Sequence, residues 1–364
     1  MNNLRDILFS PFESPHLSLK NRIVMNPVPT GFVDKGEPTE ENIKFYGLRA
    51  KSVGLIIAGA INIEHPTATN NEKVPNIIPK NYPFLWNKVT QAVHDEKSKI
   101  VAELWHSGSS RAFSSPQLAT NVSTPSGVVG KERVGEPLSN EEIEEIIQSF
   151  ANAAKAAKDF GFDGIDIHGA HGSLIHDFLA SDTNKRTDKY GINNRTKFVE
   201  EVIKECRKRV GEDFPIIIRL SNFKNYNPQA KLVADSVELK NIVTAISNAG
   251  VDIFDCSEIN YFNDAIAGEK GNLSYWIKRF TNKPVIATGG LGSSGILYKD
   301  IPKLIKEVVS NPSMSYPYLQ KDEVKVFHPA RLISDFNNGK FDLVAFGRPL
   351  LINANWIEEL KEDL

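Results

Sequence analysis

Gly161–Gly191, GFDGIDIHGAHGSLIHDFLASDTNKRTDKYG, begins as a strand and ends as a charged loop. Phe162, Ile165 and Ile167 are apolar, and Gly161 and Gly164 interrupt whatever precedes them. At the strand's end stand His168 and His171, separated only by Gly169 and Ala170. Spacers this small let both imidazoles converge on one point. Such a pair can donate two hydrogen bonds to a single oxygen, polarising a carbonyl or holding a nitro group. From Thr183 to Arg195 the chain carries Asn184, Lys185, Arg186 and Asp188 and is too charged for a core. Taken alone, His-x-x-His reads equally as a structural pair or a zinc site.

Outward from this stretch, apolar runs alternate with amphipathic ones along the whole chain. Strands are expected at Ile23–Asn26, Leu55–Ala60, Ile100–Trp105, Gly164–His168, Pro215–Leu220, Val251–Asp255, Val285–Thr288 and Leu343–Phe346. Helices are expected at Thr39–Ser52, Phe84–Glu96, Thr196–Val210, Ser236–Ala249, Leu273–Phe280 and Trp356–Leu360. Another, opened by a Ser139–Glu142 capping box, should reach Phe160. The strands are continuous apolar runs of the kind buried on both faces. The pattern predicts an α/β fold, a single (β/α)8 barrel over residues 1–364. A doubly wound open sheet is the competing architecture, but no GxGxxG turn follows the first strand. Two connections exceed the minimal repeat. Ser107–Pro137 is a Ser-, Gly- and Pro-rich loop of roughly thirty residues, and an insertion around 293–327 separates strands seven and eight.

Bulk properties narrow the function. The 364 residues are 41% hydrophobic and 24% charged, with a net charge of −2. That balance gives no electrostatic case for nucleic acid or an anionic membrane. No run of about eighteen apolar residues occurs, and the N-terminus has no apolar segment after its charges. The reading is a cytoplasmic enzyme. Cys206 and Cys256 are too few for an iron–sulfur cluster and read as small buried residues.

In a barrel of this kind chemistry sits at the C-terminal strand ends. Strand seven ends in Thr288-Gly289-Gly290 and strand eight in Phe346-Gly347-Arg348. Glycine amides closing on a phosphate, with Arg348 as a bidentate cation, make a phosphate site on adjacent strands. Arg219 lies inside an apolar strand and needs an anion, either a ligand or one of Asp166 and Asp255.

The block HGAHG…FL…TNKRTDKYG…NR resembles the old yellow enzyme family of FMN-dependent NAD(P)H oxidoreductases, and the likeness extends from Asn21 to Leu351. The resemblance implies FMN as cofactor and NADH or NADPH as reductant. It also implies a small-molecule acceptor (an α,β-unsaturated carbonyl, a quinone or a nitro compound) held by His168 and His171. It places Asn26, Pro27, Val28 and Pro29 along the flavin edge, Ala60 where the ring system needs room, and Arg219 beside N1–C2=O. Gly289, Gly290, Gly347 and Arg348 become the phosphate contacts. Relatives form dimers or tetramers, so a homo-oligomer is consistent with the likeness.

Three departures stand out. Glu103 occupies a position where the family usually has Gln against the flavin pyrimidine, which predicts a lower reduction potential. Pro29 replaces a side chain that tunes the flavin, with Thr30 as a substitute donor. Ser173 replaces the tyrosine that protonates the substrate in the well-studied alkene reductases, and a serine hydroxyl is a poor general acid. Tyr190, Tyr226 and Tyr261 are other candidate proton sources. Two competing functions remain: a flavin-free barrel lyase or isomerase acting on a phosphorylated substrate, and an FMN-binding barrel with little turnover.

Overall fold

The computed structural model describes residues 3–78, 84–113, 122–292 and 328–364. Eight parallel strands close into a barrel. In chain order they are β1 (Ile23–Met25), β2 (Leu55–Asn62), β3 (Lys99–Trp105), β4 (Gly164–His171), β5 (Ile216–Lys224), β6 (Ile253–Ser257), β7 (Val285–Thr288) and β8 (Leu343–Phe346). β8 pairs with β1, which completes the ring. The helices outside it are α1 (Glu40–Ala50), α2 (Phe84–His94), α3 (Asn140–Asp159), α4 (Lys197–Val210), α5 (Ser236–Ala249), α6 (Leu273–Thr281), α7 (Pro329–Asn337) and α8 (Trp356–Asp363). The expected (β/α)8 barrel is therefore present, with strands seven and eight at their expected bounds.

Local chemistry sets these elements. Ser139 caps α3 as anticipated: Oγ accepts from the Glu142 amide at 3.1 Å, and the Glu142 carboxylate accepts from the Ser139 amide at 2.7 Å. Its apolar face, including Ile143, Ile146, Ile147 and Phe150, is buried. Asp235 and Asn272 cap α5 and α6 by accepting from the Glu238 and Tyr275 amides. Every residue of β6, β7 and β8 is buried, as the largely apolar runs led one to expect, with Asp255 and Ser257 of β6 and Thr288 of β7 the polar exceptions.

Helix α7 was not anticipated, and neither were two features of the loops. A short hairpin, Phe12–Glu13 with Ser18–Leu19, inserts Phe12, Leu17 and Leu19 into the core cluster that fills the lower barrel. The long loop after β3 carries a 3-10 turn, Gly108–Phe113, and two short strand pairs, Val128–Val129 with Glu132–Arg133 and Ser123–Thr124 with Glu136–Pro137. The insertion around 293–327 lies outside the described residues. No described helix is long and apolar enough to cross a membrane.

Candidate active site

Every second side chain of a strand faces the same way. Val101, Ile217, Ile253 and Ile286 belong to the cluster that plugs the lower barrel, with Val24, Ile57 and Leu343. Two residues further along the same strands stand Glu103, Arg219, Asp255 and Thr288. The barrel interior thus changes within one step from an apolar plug to a polar floor at the C-terminal mouth. Arg219 Nη1 lies 3.4 Å from Asp255 Oδ2 and 3.8 Å from Glu103 Oε1, and Nη2 donates to Ser257 Oγ at 3.4 Å. Both answers to the buried cation are accommodated: a carboxylate pairs with it from inside the barrel, while the side chain stays at the strand end where a ligand would arrive. Thr288 Oγ1 is 3.1 Å from Asp255 Oδ1 and 3.4 Å from Asn26 Oδ1, so the floor links five strand ends.

The carboxyls on this floor are not equivalent. Burial would push Glu103 up, but the His168 ring bonded to it and the Arg219 guanidinium outweigh that and hold it below the usual range. Asp166, on β4 beside Glu103, has neither oxygen hydrogen-bonded. Burial, then Asp255 and Glu103, push it well above the usual range. Burial raises Asp255 too, against the pull of Arg219.

Above this floor stand the two histidines, ring centroids 5.3 Å apart. The strand runs three residues beyond its expected end at His168, because β4 keeps pairing with β5 as far as His171 and Lys224. A register shift falls between Gly169 and His171, and His171 takes φ of +63°. That irregularity turns two rings three residues apart toward one side, where a regular strand would oppose them. The amide of His171 donates to Ser221 Oγ at 3.0 Å. His168 Nδ1 lies 2.7 Å from Glu103 Oε1, and His171 Nε2 lies 2.8 Å from Ser257 Oγ. Burial, then the charges of His168 and Arg219, push His171 well below the ordinary histidine range, so its ring is neutral.

Ser173 has a different part from the one its position suggested. Its Oγ donates to the His168 carbonyl at 2.9 Å, it opens the short helix Leu174–Leu179, and it is 1% exposed. The hydroxyl braces the backbone under the pair. The candidate tyrosines are also committed. Tyr190 donates to Glu144 or Glu201, at 2.8 and 2.7 Å, among the outer helices. Tyr261 donates to Asp335 at 3.1 Å, and Tyr226 bonds Ser109 Oγ at 2.8 Å.

At the other strand ends, Asn26, Pro27, Val28 and Ala60 are partly exposed at the mouth, and Pro29 is exposed. Thr30 is buried, and its Oγ1 accepts from Asn42 Nδ2 at 3.2 Å, anchoring the loop. Gly289 and Gly290 have φ of +148° and +62°. A Cβ on Gly289 would stand 2.7 Å from the Glu258 carbonyl and 2.9 Å from the Tyr261 amide, so no other residue fits there. Gly347 and Arg348 follow β8, where Arg348 begins the short helix Arg348–Ile352. Arg49 fixes that helix from α1, donating to the Leu350 and Leu351 carbonyls at 2.6 and 3.0 Å. Ser257 escaped sequence reading, although the strand period places it inward, two residues beyond Asp255. Among the described residues no three His, Cys, Asp or Glu side chains form a cluster that could hold a metal.

Comparison with known proteins bears on this arrangement. The profile of a family described as NADH:flavin oxidoreductase / NADH oxidase matches residues 7–301. The chain is 35% identical to a "Metal reductase" of Desulforamulus reducens, over 77% of this chain and 43% of that protein. It is 31% identical to an "NADPH dehydrogenase" of Bacillus subtilis, over 94% of this chain and 91% of that protein. Among solved structures, an old yellow enzyme homologue from Zymomonas mobilis superposes with a TM-score of 0.77 at 23% identity, covering 98% of this chain and 92% of that one. That likeness supports the fold. The chain spans about half the length of several of the curated relatives it matches.

Proposed function

Since the chain belongs to the NADH:flavin oxidoreductase / NADH oxidase family, we propose that it is an FMN-dependent oxidoreductase. In this reading it uses NADH or NADPH to reduce a small-molecule acceptor whose oxygen is held by His168 and His171. The observation that carries the reading is the pair of imidazoles, 5.3 Å apart, above a floor of Arg219, Glu103 and Asp255.

The donor set fits FMN. Glu103 and Arg219 offer an acceptor and a cation to the pyrimidine end, while Gly289, Gly290, Gly347 and Arg348 offer amides and a cation to the phosphate. Asn26, Pro27, Val28, Pro29 and Ala60 border the ring system. FMN, when bound, takes hydride from NAD(P)H and passes it to the acceptor. The protein's part is to orient the acceptor and stabilise the charge that gathers on its oxygen. Here His168 and His171 bind that oxygen, Arg219 balances negative charge at the flavin end, and Ser173 and Ser257 hold the rings in place. The acceptor is an α,β-unsaturated carbonyl, a quinone or a nitro compound, each of which presents an oxygen to the pair. We take the enzyme to act in the cytoplasm.

The test is NAD(P)H oxidation by FMN-loaded protein with a cyclic enone, a benzoquinone and a nitroarene. His168→Ala should lose acceptor turnover by roughly 100- to 1,000-fold, the usual effect of removing one oxyanion donor. A variant as active as the parent would refute the assignment.

A further inference from the structure

Reduction of an enone by hydride leaves an oxyanion that must acquire a proton. Resting on the proposed function, the question is which group supplies it once Ser173, Tyr190 and Tyr261 are committed elsewhere. Tyr226 is tied to Ser109, whose hydroxyl lies 2.6 Å from the buried Asp177.

The two histidines are held differently. Arg219 donates to Ser257 Oγ, so the serine's own hydrogen is free to go to His171 Nε2, which leaves Nδ1 of that neutral ring as its N–H. His171 is then a hydrogen-bond donor with no proton to spare. His168 instead meets a carboxylate: Nδ1 is 2.7 Å from Glu103 Oε1, and both residues are buried. Glu103 holds its charge because His168 and Arg219 outweigh the effect of burial. A carboxylate only accepts, so Nδ1 carries a hydrogen and Nε2 is the nitrogen left to face the acceptor.

We propose that Glu103 and His168 form a carboxylate–imidazole dyad in which His168 Nε2 delivers the proton to the acceptor oxygen it holds. Hydride forms the C–H bond at the β carbon, and the displaced π electrons gather on oxygen. The O–H bond then forms as Nε2–H breaks, giving an enol that ketonises in water. With a quinone, hydride at a ring carbon and the same proton on oxygen give a keto tautomer that enolises in water to the hydroquinone. The imidazole stays bonded to Glu103 and regains its proton from solvent. His168 is the catalytic residue. Glu103 is a positioning residue that fixes the ring through Nδ1, as the aspartate does in a hydrolase triad. The other ionisable groups around His168 are Asp166 on its own strand, Arg219 on β5, Asp255 on β6, His171, and His176 on the short helix. Among the described carboxyls here, only Glu103 bonds the ring. The two departures from the family pattern, Glu103 and Ser173, become one exchange: the acid moves from residue 173 to the dyad.

The experiment compares wild type, Glu103→Gln and His168→Asn as FMN-loaded full chains. The flavin is reduced chemically and mixed with a cyclic enone across pH and in H2O and D2O. Both variants should reoxidise roughly 100-fold more slowly, and Glu103→Gln should lose the wild type's solvent isotope effect. Without flavin, 15N NMR of histidine-labelled protein should place a hydrogen-bonded proton on His168 Nδ1 in wild type and move that resonance in Glu103→Gln. Equal reoxidation rates with unchanged His168 resonances would overturn the dyad. Failure of all three proteins to bind FMN would instead overturn the flavoenzyme reading, while the NMR comparison would still judge the pair.

Discussion

Glu103 carries charge on a floor that already contains Asp255, and one guanidinium, Arg219, lies within 3.8 Å of both. At the proposed pyrimidine end of the flavin, a fixed negative charge would oppose adding electrons. Glu103→Gln should therefore raise the midpoint potential, by about 30 mV for each 1.4 kcal/mol of repulsion removed. A redox titration that finds no rise would contradict this. A second carboxyl has a consequence for stability. Burial raises Asp177 to about 7, against the pull of Lys224 and Ser109. An unfolded aspartate titrates near about 3.9, so between these values the folded chain holds a proton that the unfolded chain has released. This group therefore lowers stability as pH rises through that window, by up to about 4 kcal/mol. Asp177→Asn should flatten the fall in melting temperature between pH 4 and pH 7; an unchanged slope would refute the attribution. At this scale the sequence shows which residues are unusual but not what they touch. Glu103 stood out against the family's Gln, yet its bond to His168 depends on adjacent strands bringing residues 103 and 168 together. Ser173 looked like a pocket residue because its position was read by analogy, whereas its hydroxyl had a backbone carbonyl within reach.

Elements were read more fully, because strand and helix periods are local. Seven helices and all eight strands lie within a few residues of where the apolar pattern puts them. The difference at β4 has a physical cause: pairing with β5 continues past His168 through a register shift, and no single-strand pattern reveals its neighbour's reach. The hairpin that closes the lower barrel was missed because Phe12, Leu17 and Leu19 are too sparse for a periodic signal. The loop after β7, proposed to hold the phosphate, gives a prediction at this scale. Gly289 has φ of +148° and no room for a Cβ, so Gly289→Ala must move the loop after β7. FMN should bind at least about tenfold more weakly, corresponding to strain of 1–3 kcal/mol, while far-UV circular dichroism stays that of the parent. Undiminished affinity would mean that this loop does not hold the phosphate.

For the whole molecule, closure of the barrel converts sequence spacing into a site. Five of the eight strands end in polar residues (Asn62, His171, Lys224, Ser257 and Thr288), and the ring of strands gathers those ends at one mouth. That arrangement was legible from the repeat and from the block around His168. The depth of the polar floor was not, because it depends on register around the ring. The central claim is a flavin site with an oxygen-binding histidine pair, and a visible spectrum tests it most directly. Purified protein, supplied with FMN and passed through a desalting column, is titrated with a simple phenol. The account predicts a retained flavin spectrum and a new long-wavelength band as the phenolate stacks on the flavin, with the band lost in His168→Ala. A protein that emerges colourless, or a band indifferent to His168, would contradict it.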